Sequence, residues 1–436
     1  MQVVTERSYL DASTVDSAAG WAPIDAMIRD VVDRGLLSGA VTLAWHGGGL
    51  AHDSVIGWQD VATTTPMRRD TIFRLFSMTK PVMAAAMMIL RDEGRWAPED
   101  RLEDHLPELA GLQVLRGVDE DGVAILSPPR NPLLIEHVMT HRAGFTYGFS
   151  DEPVDRAFRA AGVPSLPHSL PLADYLARLA RAPLAFDPGT GWRYGVAMDV
   201  QGALVERLSG VSLRDFMMER IFAPLGMVDT DFLVPEPKRD RFASLYVLPG
   251  DALVEASVDG PMPYDNMAHV PARDLVLPYE RSPAFASGGG GLVSTAGDYL
   301  RFARMLLNRG ELEGARILSA GAVAEMTRSH TPSDLLTGEF GTAPHVLRPG
   351  YEYAYNGVVV TDPVAADVRL GRDTYFWDGA AGCWFWIDPT NDIAFVCLIQ
   401  LLADAERLSL QFRSRGLVAD ILSAKAGQWQ QGGEVG

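Results

Sequence analysis

Residues 74–90 read R-L-F-S-M-T-K-P-V-M-A-A-A-M-M-I-L, a short polar step followed by the most apolar run in the first hundred residues. The pattern predicts a helix from about Ser77 to residue 93, closed by Gly94. A spacing of three puts Ser77 and Lys80 on one helical face, so the amine can reach the hydroxyl. The unpaired N–H groups of the first turn, with the positive end of the helix dipole, suit a developing oxyanion. Pro81 is tolerated because it lies in that first turn. The plainer alternative is a helix-capping serine followed by a lysine that snorkels to solvent. Two features count against it: the helix is apolar nearly all round, and lysine is scarce. Only Lys80, Lys238 and Lys425 occur, and the last two sit in polar or terminal settings. An unpaired ammonium at Lys80 would cost on the order of several kcal/mol or give up its proton, which arginine cannot do.

Outward from this helix, residues 23–35 have apolar positions at helical spacing. GAVTLAWHG and AHDSVIGWQD, separated by Gly47 to Gly49, read as a β-hairpin. Near the other end, TYFWDGAAGCWFWID and NDIAFVCLIQLL read as an antiparallel pair joined by Asp388, Pro389 and Thr390, followed by an amphipathic helix from about 404 to 424. A helix and hairpin at the start and a hairpin and helix at the end combine into one sheet. Residues 90–320 are mainly helical patterns broken by Pro-rich loops, with a long loop-rich stretch from 235 to 290. The fold class expected is α/β (α+β): an antiparallel sheet flanked by terminal helices, with a mainly helical insertion and a cleft between. Residues 20–95 and 285–425 form the discontinuous sheet domain, 96–284 the helical one, and 1–19 and 426–436 are flexible termini.

The 436 residues carry 38 Lys+Arg against 56 Asp+Glu, a net charge of −18, which excludes a nucleic-acid or anionic-membrane partner. With 47% hydrophobic and 22% charged residues, the chain can bury a sizeable core. The first thirty residues lack an apolar signal region, and the longest apolar runs are too short to span a bilayer, so a soluble cytoplasmic protein is expected. Cys383 and Cys397 lie in strand-like apolar runs and read as buried free thiols rather than a bridge. The nine histidines have no ligand-like spacing, so no metal is expected. No serine stands in G-x-S-x-G; Ser150 comes nearest. S-G-G-G-G at 287–291 lacks the lysine of a phosphate loop and reads as a tight turn beside the cleft.

S-M-T-K resembles the nucleophile motif of the serine β-lactamase and penicillin-binding superfamily. The likeness continues, in order, through VMTHRAGF (138–145), FDPGTGWRYG (186–195) and GGLVSTAGDYLRFARMLLN (290–308). These stretches resemble the class C β-lactamase-like branch, with its family VIII carboxylesterases, D-aminopeptidases and acyltransferases. The resemblance implies a serine acyl-enzyme without cofactor: Ser77 as nucleophile, Lys80 as base and Tyr194 coupled to both. Bias of roughly 3 to 4 kcal/mol is needed to bring Lys80 toward neutrality. The branch's second motif, Tyr-x-Asn, reads Tyr194-Gly195-Val196 here, so the Tyr matches and the Asn does not. Its third, Lys-Thr-Gly, reads Trp377-Asp378-Gly379, and the next residue, Ala380, would give the second oxyanion N–H beside that of Ser77. Trp377, Asp378, Gly379, Phe145 and Tyr147 are the expected substrate contacts, although Trp377 also fits a core aromatic. His141 reads as structural.

Loss of the motif's lysine favours an uncharged substrate, so the reading is an esterase for short-chain neutral esters. An acyltransferase or a weak β-lactam or D-amino-acid peptide hydrolase on the same site is the alternative, and a non-catalytic sensor is the alternative from another class. The oligomeric state is left open.

Overall fold

The computed structural model describes residues 18–166, 170–250, 252–257, 279–332, 335, 349–402 and 409–432. Of the termini expected to be flexible, 1–19 and 426–436, residues 1–17 and 433–436 lie outside the described residues, whereas Ala18 and Ala19 open a 3-10 turn and residues 426–432 continue the closing helix.

Eight strands form one antiparallel sheet: β1 (Gly39–His46), β2 (Gly49–Asp60), β3 (Thr65–Pro66), β4 (Tyr351–Tyr353), β5 (Val358–Val360), β6 (Tyr375–Asp378), β7 (Trp384–Asp388) and β8 (Ile393–Leu398), in the spatial order β4-β5-β6-β7-β8-β1-β2-β3. The first and last thirds of the chain meet where β1 pairs with β8, Val41 opposite Leu398 and His46 opposite Ile393. Gly47 and Gly48 take φ of 59° and 83°, the left-handed pair that a two-residue hairpin turn demands.

The sheet buries both faces, and the pleat decides what each one meets. Phe385 lies opposite Val396, which lies opposite Leu43; this face receives Tyr299 of helix Ala296–Leu307, with rings 5.0 Å apart, and Arg304 of the same helix stacks on Trp45. Phe376, Trp386, Phe395 and Ala44 form the opposite face. There Arg415 of the closing helix lies over Phe376, and Trp21, just before helix α1 (Ala22–Asp33), stacks on His52.

Helix α2 (Thr79–Asp92) keeps every residue from Thr79 to Leu90 buried, and Gly94 beyond its end has φ +67°. It packs against helix α3 (Ala197–Ser209), itself buried from Ala197 to Val205. Cys383 and Cys397 are free and buried. Among the described residues no helix is long and apolar enough to cross a membrane.

Several elements differ from their sequence expectations. The run TYFWDGAAGCWFWID is two strands, because the chain reverses at Gly379–Gly382, where Gly382 has φ +80° and its N–H bonds the Gly379 carbonyl at 2.8 Å. NDIAFVCLIQLL leaves the main sheet after Leu398, and Leu401–Leu402 pairs in parallel with Tyr246–Val247. Residues 351–360, not read as strands, supply β4 and β5; Asn356 turns them about with φ +55°. Within the helical stretch, Val114–Val118 and Ala124–Ser127 form a hairpin. The closing helix runs from Leu410 to Gly432, and the part of it expected before residue 409 lies outside the described residues. Of the long loop at 235–290, residues 251 and 258–278 likewise lie outside them.

Candidate active site

Ser77 lies in a 3-10 turn, Phe76–Met78, that leads into α2. Phe76 is held at φ +45°, an uncommon conformation for an aromatic side chain that is kept where surrounding contacts over-determine it. Those contacts come from three sides. Leu75 N–H bonds the Leu292 carbonyl at 2.9 Å, Tyr299 donates its hydroxyl to the Met78 carbonyl at 2.8 Å, and Leu292 N–H bonds Thr79 Oγ1 at 3.1 Å. A side chain on Gly379 would put Cβ 2.1 Å from the Leu75 carbonyl, so only glycine lets β6 approach the turn so closely.

Tyr194 arrives from the other wall. The Arg193 N–H bonds the carbonyl of His141, which takes φ +58°, and the Arg193 guanidinium pairs with buried Asp155 at 3.1 Å. A Cβ on Gly195 would fall 2.4 Å from the Phe145 carbonyl, which fixes the depth of the tyrosine.

The three polar side chains then meet. Lys80 Nζ donates to Ser77 Oγ at 2.9 Å and to the Gly289 carbonyl at 2.7 Å, and Tyr194 donates its hydroxyl to Ser77 Oγ at 2.7 Å. Lys80 is fully buried, and its amine lies 4.7 Å from the centre of the Tyr194 ring. Burial pushes its amine down to about 7, against the opposing pull of Asp199 and Asp378. Burial moves the Tyr194 phenol well above its ordinary value, only partly offset by the bond to Ser77. At neutral pH Tyr194 therefore holds its proton, and Lys80 can lose one.

The other expected site residues divide. Trp377 is buried with its ring 5.8 Å from that of Tyr194. Among the described residues its indole N–H has no partner in hydrogen-bond geometry, yet it lies close enough to favour the Tyr194 phenolate slightly. Tyr147 stands 5.3 Å from the Tyr194 ring and stacks on Phe149. Asp378 is half-buried at the end of β6, where Gln411, with its amide turned to satisfy both neighbours, donates to Oδ2 at 3.1 Å and accepts from Arg415. Ala380 follows Gly379 in the reversal and packs against the small cluster of Phe76, Leu245, Val247, Ala381 and Leu402. Phe145 belongs to the main core and reaches the site through its carbonyl against Gly195. His141 packs against Tyr194, Trp192 and Tyr353, and burial keeps its imidazole far below its ordinary value, hence neutral.

Sequence reasoning missed Asp199, a fully buried carboxylate on α3, and the part played by the glycine run. Cβ atoms would lie 2.3 Å from the Met198 carbonyl at Gly288, and 3.0 Å from the Tyr147 hydroxyl at Gly289. Glycine is what lets the Gly289 carbonyl reach Lys80. An acidic residue in an otherwise apolar helical turn, five positions after Tyr194, was the available signal.

A profile of the family described as Beta-lactamase matches residues 24–420. The chain belongs to the beta-lactamase family of serine hydrolases. It is 38% identical over 386 residues to the protein Rv1367c of Mycobacterium tuberculosis, covering 87% of this chain and 90% of that one. It is 30% identical over 396 residues to Esterase EstB of Burkholderia gladioli, covering 89% and 92%. Among solved structures, EstCE1, described as a hydrolase with promiscuous acyltransferase activity, superposes with a TM-score of 0.76 at 25% identity, covering 93% of this chain and 98% of that one. No group of three or more His, Cys, Asp or Glu that could hold a metal occurs among the described residues.

Proposed function

We propose that this family member is a carboxylesterase for short, uncharged esters, working through an acyl-enzyme on Ser77. The observation that carries the reading is the convergence on Ser77 Oγ of a buried amine at 2.9 Å and a phenol at 2.7 Å. With Lys80 neutral, its lone pair takes the Ser77 proton as Oγ attacks the carbonyl. The N–H groups of Ser77 and Ala380 receive the oxyanion. Tyr194 gives its proton to the leaving alkoxide and is restored from the Lys80 ammonium. Water, entering where the alcohol left, attacks the acyl carbonyl as the same pair takes its proton, and that proton passes to Ser77 Oγ as the acyl–Oγ bond breaks and the acid leaves.

This assignment fixes the sign of the pH dependence. The base works only when unprotonated, and burial sets its midpoint near 7. Activity (kcat/KM) should therefore level off above that midpoint and fall about tenfold per pH unit below it. Tyr194 is displaced upward, so it adds no loss at mildly alkaline pH. A profile flat down to pH 5 would remove Lys80 from the role of base.

Substrate charge is read from the third motif. Trp377 stands where the motif's lysine would, and Asp378 beside it would repel a substrate carboxylate. Two arginines could compensate. Arg142 already donates to the Gly189 carbonyl at 3.0 Å, and Arg281 is exposed. An uncharged ester escapes the penalty and gains contact with the indole. The kcat/KM for a butyrate ester should exceed that for a chromogenic cephalosporin by at least about two orders of magnitude, the worth of one charge-assisted hydrogen bond of roughly 3 kcal/mol. Equal values would overturn the assignment.

A further inference from the structure

Asp199 has no place in the mechanism above, yet its carboxylate is wholly buried and, among the described residues, its Oδ2 has no donor in hydrogen-bond geometry, although the Gly288 N–H lies close enough to favour the ionised form. Burying a carboxylate that is only half satisfied is costly, and burial pushes its carboxyl up to about 6. What it touches leads to Lys80 in three steps. Asp199 Oδ1 accepts from the Ser287 hydroxyl at 2.7 Å and from Gly289 N–H at 3.2 Å. Ser287 Oγ accepts in turn from Gly290 N–H at 3.2 Å. The carbonyl of that same peptide, belonging to Gly289, accepts from Lys80 Nζ at 2.7 Å.

We infer that Asp199 is the positioning residue for Lys80: through Ser287 and the Gly289–Gly290 peptide it aims the amine at Ser77, and its charge favours the protonated amine. The inference rests on the reading of Ser77 and Lys80 as nucleophile and base. A hydroxyl and a peptide polarised by one carboxylate present a more negative carbonyl to Lys80, which holds Nζ on the line to Oγ. The carboxylate thus offsets part of the burial that would otherwise leave the amine too weak a base.

The other groups around the amine do not supply this charge. Tyr194 and Tyr147 face it with rings, and burial keeps both phenols un-ionised. His141 is neutral, and Tyr175, which faces Asp199, also keeps its proton. Asp378 on β6 is the second acidic influence on Lys80 and ranks behind Asp199. A structural role alone would be met by asparagine, whose carbonyl oxygen can accept the same two bonds.

The test measures the rate at which a neutral p-nitrophenyl phosphonate ester labels Ser77, from about pH 5 to about pH 9, in the wild type, Asp199→Asn and Ser287→Ala. Asp199→Asn should move the acid limb to lower pH, since the charge that favoured the protonated amine is gone. Ser287→Ala keeps the charge and cuts the relay, so its limb should stay near that of the wild type while its plateau falls roughly tenfold through lost alignment. An Asn variant that is folded by circular dichroism, with an unmoved limb, overturns the inference. If that variant does not fold, Ser287→Ala decides, and an unchanged plateau overturns it. Failure of the wild type to label at Ser77 would instead overturn the proposed function.

Discussion

Ser77→Ala is expected to lower ester turnover by up to about 10⁶-fold, leaving only the residual rate that binding and the oxyanion N–H groups supply. Among the described residues no second hydroxyl is poised to take over. Ser150 Oγ is bonded to Asp155 Oδ2 at 2.5 Å, and Ser287 Oγ to Asp199 Oδ1 at 2.7 Å, so each hydroxyl donates to a carboxylate rather than meeting a lysine and a tyrosine. Among the described residues Ser77 Oγ alone receives both a lysine and a tyrosine. Its removal leaves two buried donors without that acceptor, at a cost of about 1 to 3 kcal/mol each at most, against a net stability of about 5–15 kcal/mol for a folded protein, and Lys80 keeps its bond to the Gly289 carbonyl. Circular dichroism should accordingly report a folded protein with a modestly lower Tm, which separates lost chemistry from lost structure. Mass spectrometry of the wild type after phosphonate treatment should place the adduct on Ser77. An adduct on another serine, or an alanine variant that still turns over esters, would sink the assignment.

The parts of this molecule that sequence disclosed are those governed by local chemistry. An apolar helix with one lysine in its first turn can do little with that charge except bury it, and α2 does so. The hairpin of β1 and β2 is written in two apolar runs and a glycine pair. The terminal hairpins are expected in one sheet, and the structure joins them where β1 pairs with β8. The convergence of Tyr194 on Ser77 spans 117 positions, and there the family likeness did what periodicity cannot. Residues whose purpose lies entirely in a distant partner stayed hidden. Asn356 is an example: its side chain bonds the Lys80 carbonyl at 3.1 Å and buried Gln201 at 2.6 Å, so a turn residue of the sheet fastens both α2 and α3. The strands on either side of it have three residues each, too short for alternation to register. Asp199 was hidden for the same reason, since its neighbours in sequence are apolar and its partners come from the glycine run ninety positions away.

Lys80→Arg is expected to be nearly inactive although the charge is kept, and this outcome separates a base from a mere cation. Arginine stays protonated in a protein, so it can hold Ser77 Oγ by a hydrogen bond but cannot take its proton. Lys80→Met, which removes the charge and keeps a similar apolar stem, should fail to a similar degree. If Lys80 served only as a positive charge, the two variants would diverge, with arginine retaining turnover and methionine losing it. The expected loss in each is about 10²–10⁴-fold, the usual worth of a positioned acid or base. Tyr194→Phe should fall in the same range, because it removes the donor to Ser77 Oγ and the proton for the leaving alkoxide while keeping the ring that packs on His141 and Trp377. The double variant Lys80→Met with Tyr194→Phe is the stricter measurement. Side chains acting as one proton-transfer unit are not additive, so its loss should be close to that of either single variant rather than their product. A double variant whose loss equals the product would mean that the two residues act in separate steps, and a Lys80→Arg enzyme with a tenth of wild-type turnover would mean that charge alone suffices.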